Sequence, residues 1–326
     1  MTRQVTGHGL ASTAVVTARW VGQLRIDRME HRMTSETAGR VHPILLLCPD
    51  CLMRESEIRL GDLADISLSD EVTCPSCGEV YSVIAGIPIL VPEEYRGLAN
   101  IPAEATDREH LEYENEATKR VARLLSDNRR SLSLDAGCGK GTHSDYFGEN
   151  LVLLDANFYF VSEAVRRYGG EGSCFGVVAD VRCLPFSTGT FELVFSSNVL
   201  EHLPPADVAG AIDGMKRATC ETLQVDVPNE HGLVKLMKSM MARARIYSRG
   251  DYQDESLRHQ TEFSAGALSR LGFDVSGCIG WVTRKRLRLG PLWDLYDGVV
   301  SRIPSLAETL IGTWREPGGD PNPLDN

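Results

Sequence analysis

Three glycines at alternate positions, Gly137, Gly139 and Gly141, follow an apolar run from Ser131 to Leu134, with Asp135 at the joint. The run reads as a buried strand. Glycine lets the backbone turn sharply and approach a ligand with no Cβ in the way. A strand entering a Gly-rich turn and then a helix is how doubly wound α/β folds hold an adenosine-containing ligand. A dinucleotide fold wants G-x-G-x-x-G, so that a helix N-terminus meets a pyrophosphate. This chain has D-x-G-x-G-x-G, with the acid ahead of the glycines.

The following strands carry acids at their tips. Leu151 to Asp155 is an apolar run ending 20 residues after Asp135. A carboxylate there offers two accepting oxygens, which suits the paired hydroxyls of a ribose. Phe175 to Val181 ends in Ala179-Asp180-Val181, and Thr190 to Leu203 follows a Leu184-Pro185-Phe186 segment. These motifs, in this order, resemble class I S-adenosylmethionine-dependent methyltransferases of the small-molecule type, over roughly residues 110 to 280. The resemblance implies an α/β fold: a Rossmann-like seven-stranded sheet with helices on both faces, preceded here by a small zinc ribbon. It also implies S-adenosylmethionine as cofactor. Asp135, Gly137, Gly139 and Gly141 would then face the methionine end, Asp155 the ribose, and Asp180 and Val181 the adenine. Asn198 joins the cofactor-binding set.

Nine cysteines without an export signal are not read as disulfides. Cys48-x-x-Cys51 and Cys74-x-x-Cys77 form paired knuckles around a 22-residue spacer, slightly longer than the usual ribbon. Four thiolates suit tetrahedral, structural Zn²⁺. Pro49, Pro75 and Gly78 suit the tight turns. The tail from Cys74 to Leu90 resembles the zinc-ribbon activator subunit of tRNA, ribosomal RNA and release-factor methyltransferases. Cys138, Cys174, Cys183, Cys220 and Cys278 read as small core residues.

The expected organisation is a poorly ordered leader over 1–42, a zinc-ribbon module over 43–92, a linker over 93–109 and a methyltransferase domain over 110–316. Cap insertions fall at about 230–260 and 283–307, and a disordered tail at 317–326. His110 to Asn128 has helical apolar spacing. Cys220-Glu221-Thr222 and the polar Asp226 depart from the family's fifth strand. Glu308 to Trp314 reads as a final antiparallel strand.

The two caps follow the fifth and sixth strands, so both should stand over the acceptor end of the sheet. Lys235 to Arg249 and Arg284 to Arg288 are basic, which suits an anionic acceptor, a peripheral membrane contact or a docked protein partner. His202, His231, Tyr252 and His259 are the candidates for a catalytic base. Ser197-Asn198-Val199-Leu200 is not the Asn/Asp-Pro-Pro-Tyr motif of amino-adenine methylation. A small-molecule, glycan or lipid-linked acceptor is therefore expected. The alternatives are an RNA methyltransferase with a zinc module, and a non-catalytic zinc-ribbon interaction protein. A net charge of −11 disfavours nucleic acid. No apolar run approaches the roughly 20 residues of a membrane span. Ala11 to Ala18 is too short for a signal core, so the cytoplasm is the expected compartment.

Overall fold

Alternation along the central strands decides how this molecule is layered. In β7 (Asn150–Asp155), Val152 and Leu154 point to one face, while Leu151 and Leu153 point to the other. All four are buried, so the strand must be covered on both sides. The computed structural model describes residues 43–98, 132–147, 150–168, 173–231, 259–278 and 299–317. The leader, the helix expected over 110–128, most of both caps and the tail lie outside them.

Seven strands form one mixed sheet. They are β6 (Ser133–Ala136), β7, β8 (Ser173–Val178), β9 (Phe191–Ser197), β10 (Thr219–Pro228), β11 (Asp274–Cys278) and β12 (Thr309–Arg315). Their order is β11-β12-β10-β9-β6-β7-β8, with the β8-to-β10 side parallel and β12 antiparallel to both neighbours. This is the Rossmann-like methyltransferase sheet that the motifs implied. The order of strand addition switches sides between the parallel neighbours β6 and β9, and in such sheets the ligand crevice opens beyond the strands' carboxyl ends there.

One face is covered by α4 (Val208–Ala218), which buries Val208, Ala211, Ile212 and Met215, and by α5 (Ala265–Arg270), which buries Leu268. On the other face, α3 (Phe158–Tyr168) packs Val161 and Ala164 beneath β7 and β8. Asn157 caps α3, accepting from Tyr159 N at 2.9 Å.

Two local expectations change. The glycine turn leads into a 3₁₀ turn, Ser144–Tyr146, and not into a full helix. Only residues 142–149 separate Gly141 from β7, too few for a turn plus a packed helix. Leu200–His202 is likewise a 3₁₀ turn, with α4 starting only after Pro204 and Pro205. Phe147 stands in for the missing helix, packing on Phe195 in a small cluster with Cys278 and Ile311.

The fifth strand is more regular than its sequence suggested. β10 pairs with β9 and β12 over its length, and its departure is a bulge between Thr219 and Thr222. Asp226 sits inside that strand, buried, accepting from Ser197 Oγ at 2.8 Å. Cys220 is exposed at the bulge and Cys174 is partly exposed, so of these five cysteines only Cys138, Cys183 and Cys278 are buried.

The N-terminal stretch holds β1 (Leu45–Leu47), α1 (Pro49–Leu52), β2 (Arg59–Asp62), α2 (Leu63–Ile66), β3 (Glu71–Thr73), β4 (Val80–Ile84) and β5 (Ile87–Pro88). It is joined to the sheet. Leu46 bridges Phe186, Leu47 N donates to Pro185 O at 3.0 Å, and Ser187 N donates to Leu45 O at 3.4 Å. Ile44, Leu46, Leu63 and Ile66 lie in the same core as Leu134, Val152 and Val194. After β5, Ile89 bridges Val178 and Leu90 N donates to Val178 O at 2.7 Å, which covers the exposed edge of β8.

Candidate functional site

The glycine turn sits at the carboxyl end of β6. Gly137 N and Cys138 N both donate to Leu154 O, at 2.7 and 2.9 Å, which ties the turn to β7. Gly137 has φ +87, and a Cβ there would meet Val199 Cγ2 at 2.2 Å. The need for glycine at 137 thus comes from packing against Val199. Gly139 differs: φ is +52, and a Cβ would meet nothing within 4 Å among the described residues. That open side is where a ligand has room. Gly141 completes the turn, donating to Cys138 O at 2.9 Å.

Asp135 and Asp155 flank this space. Asp135 is fully buried, and among the described residues neither carboxylate oxygen has a hydrogen-bond partner. Burial, with Asp155 and Asp226 adding repulsion, pushes its pKa up to about 8. Asp155 is held at the tip of β7, where Oδ2 accepts from Gly139 N at 3.0 Å and Oδ1 from Asn157 N at 2.9 Å. Burial raises it to about 6, opposed by the N–H donors of Asn157 and Gly139. Each oxygen keeps a further lone pair, so the carboxylate can still accept from two hydroxyls.

Asp180 is already engaged. Oδ1 accepts from Arg182 N and Nε, at 2.9 and 2.8 Å, and Oδ2 from Arg182 Nη2 at 2.7 Å. Arg182 also reaches Asp207 at 3.2 Å and lies over the Tyr95 ring, 3.8 Å from its centroid. By this count Oδ1 is saturated, and Oδ2 has one lone pair left for an amino group. Val181 follows, with its side chain buried in the core. Asn198 is exposed at the end of β9 with φ +52, its backbone N bonded to Asp226 O at 3.0 Å. Asn is among the few residues that tolerate this conformation.

The four knuckle cysteines converge. Cys48 Sγ and Cys77 Sγ are 3.7 Å apart, Cys51 Sγ and Cys74 Sγ 3.8 Å, and all four lie within 4.8 Å of one another. A tetrahedron with Zn–S bonds of about 2.3 Å has S···S edges of about 3.8 Å, so the spacing and the donor set both fit zinc. A disulfide needs about 2.05 Å, so these are not disulfides. Pro49 opens α1 directly after Cys48, and Gly78 takes φ +76 after Cys77. Burial raises the Cys48 thiol. Burial also opposes ionisation at Cys74, but the N–H groups of Cys77 and Ser76 outweigh it and bring that thiol to about 7. Tyr81 OH donates to Asp50 Oδ2 at 2.6 Å and lies 3.1 Å from Cys48 Sγ.

Three of the four catalytic candidates fall within the described residues, and Tyr252 falls outside. His202 and His259 come together, with ring centroids 5.3 Å apart at 76°. His259 Nδ1 is 2.9 Å from Glu230 Oε1. His231 is exposed, its Nε2 3.6 Å from Glu262 Oε2. Sequence reasoning passed over Glu201, which lies buried beside His202 with its pKa raised to about 8 by burial. Its only sequence signal is the acid of Leu200-Glu201-His202.

Residues 134–221 match the family described as a methyltransferase domain. That segment runs from β6 into β10, the parallel half of the seven-stranded methyltransferase-type sheet. This domain is similar to malonyl-[acyl-carrier protein] O-methyltransferase of Legionella pneumophila, with 30% identity over 115 residues, which is 33% of this chain and 36% of that protein. The enzyme of the same name from Enterobacter lignolyticus is 29% identical over 93 residues, 28% of this chain and 36% of its own length. The chain thus spans about a third of the curated relatives it matches. Among solved structures, magnesium protoporphyrin IX methyltransferase from Synechocystis aligns at 14% identity with a TM-score of 0.40, covering 62% of this chain and 82% of that one.

Proposed function

We propose that this chain transfers the methyl group of S-adenosylmethionine to a small-molecule, glycan or lipid-linked acceptor. The observation that carries this is the Asp155 carboxylate, oriented by Gly139 N and Asn157 N beside the open side of Gly139. It has acceptor capacity left for a ribose at the strand-end crevice. The orphaned Asp135 carboxylate fits the same reading, because buried acceptors without donors are rare in native proteins. When bound, the sulfonium cofactor supplies an electrophilic methyl group. The chain's own part is to place an acceptor atom in line with it, which can supply much of the rate. The two curated relatives methylate an oxygen on a carrier-linked small molecule by their names, and an acceptor of comparable size suits this domain. We place a structural zinc in the four-cysteine cluster, where four thiolates leave no position for water.

Isothermal titration tests the cofactor assignment. Wild type should bind S-adenosylmethionine, and Asp155→Ala should weaken it by about 2–4 kcal/mol through loss of two charge-assisted bonds. Equal affinity in the two proteins would remove the assignment.

A further inference from the structure

Beyond the carboxyl ends of β9 and β10, two distant stretches of chain are bound together. Gln260 N and Thr261 N both donate to Glu201 O, at 2.7 and 3.1 Å. Gln260 Nε2 donates to His202 O at 2.8 Å, and Thr261 Oγ1 to Leu203 O at 2.7 Å. Glu230 N donates to Phe263 O at 3.1 Å, bringing the end of β10 to the same place. This lacing gathers Glu201, His202 and His259, and one ligand atom from each lies within 4.8 Å of the other two.

Two further observations point to a bound ion. Glu201 is 1% exposed, and among the described residues its Oε2 has no hydrogen-bond partner. Such an atom is costly to bury unless something electropositive meets it. The second concerns His259. A carboxylate only accepts, so the 2.9 Å contact with Glu230 puts the proton on Nδ1 and makes Nε2 the accepting nitrogen of the ring. Metal-binding imidazoles are oriented in this way by a carboxylate behind them.

We propose that Glu201, His202 and His259 form a divalent-metal site of two imidazoles and one carboxylate. The donors suit zinc, manganese, iron or cobalt, whereas magnesium and calcium favour oxygen ligands alone. Three protein ligands leave at least one coordination position for an outside oxygen. Granted the methyl-transfer reading above, the site stands at the acceptor end of the sheet. The acceptor then carries a hydroxyl or carboxylate oxygen that binds the metal, and coordination holds that oxygen in place for transfer.

The test uses Mn²⁺ with the full-length, zinc-loaded chain, because manganese is poorly suited to four thiolates. Loss of the free Mn²⁺ signal in electron paramagnetic resonance should titrate to a single site. Glu201→Gln and His259→Ala should each weaken binding by tenfold or more, and Glu230→Gln by roughly tenfold. His259 is partly exposed, so its variant should fold even if Glu201→Gln does not. Absence of bound Mn²⁺, or wild-type affinity in His259→Ala, would overturn the site. Asp155→Ala should keep its Mn²⁺ affinity while losing the cofactor, which separates failure here from failure of the methyl-transfer reading.

Discussion

Cys48, Cys51, Cys74 and Cys77 meet across two tight turns, whereas Glu201, His202 and His259 meet across the end of a sheet. The first cluster is closed: three of its four cysteines are buried, and its four sulfurs, within 4.8 Å of one another, are enough to fill a tetrahedral site. The second is open, running from buried Glu201 to exposed His259. A closed set spends all its donors on holding structure, and an open one keeps a position for chemistry. The two also differ in their relation to the core. The cysteine region shares its apolar residues with the sheet, so its loss should be felt far from the knuckles.

Cys74→Ser should have the largest effect. Structural zinc contributes about 10–16 kcal/mol of apparent binding free energy in small modules, against a domain stability of about 5–15 kcal/mol. Metal analysis should show zinc lost. Because Leu45 and Leu47 hold residues 185–187, next to the Asp180 turn, titration should show cofactor affinity falling as well. If Cys74→Ser binds cofactor like wild type, the cysteine region and the sheet are energetically separate.

The glycine turn offers the next comparison. Gly137→Ala places a methyl 2.2 Å from Val199 Cγ2 in a left-handed backbone, which should cost about 2–5 kcal/mol in urea unfolding. Gly139→Ala meets nothing, so only backbone strain of about 1–2 kcal/mol is expected. Its effect should fall on cofactor affinity. A Gly139→Ala protein with unchanged affinity would mean that the open side of the turn holds no ligand.

Asp135 gives a pH-dependent prediction. Its pKa rises from 3.8 to about 8, so the folded chain holds this proton more tightly than the unfolded one. Stability without ligand should therefore fall as pH rises from about 4 to about 8, by at most about 1.4 kcal/mol per pH unit for this one group. Asp135→Asn should remove that component and gain stability relative to wild type at pH 8 compared with pH 5. Parallel curves in urea denaturation at the two pH values would show that Asp135 is not the source.

What could be read in advance follows from how local each feature is. The acid-glycine turn and Asp155 are consecutive strand tips, so hydrophobic runs and spacing reveal them. The knuckles are equally local. The missing helix was legible only as arithmetic, in the short interval between Gly141 and Asn150. Leu46 and Phe186 lie 140 residues apart and carry no mutual pattern, so the joining of the cysteine region to the sheet was hidden. His259 and Glu201 are likewise 58 residues apart, and a backbone hydrogen-bond lacing sets their approach. Asp226 misled for a related reason. A polar residue in a strand reads as irregularity until its partner, Ser197 on the neighbouring strand, is known.

The smallest effect probes what surrounds the closed cluster. Tyr81 is buried, and its hydroxyl donates to Asp50 Oδ2 while lying beside Cys48 Sγ. Removing the hydroxyl keeps the ring in the core and leaves the four sulfurs in place. Tyr81→Phe should then cost about 1 kcal/mol, the typical net worth of one intramolecular hydrogen bond. Zinc content should stay at one per chain, because all four ligands remain. The rate of zinc loss to a chelator should rise, since groups behind metal ligands tune affinity without providing it. An equal loss of zinc in Tyr81→Phe and Cys74→Ser would make the hydroxyl part of the site itself. An unchanged chelation rate would leave the cluster closed by its sulfurs alone.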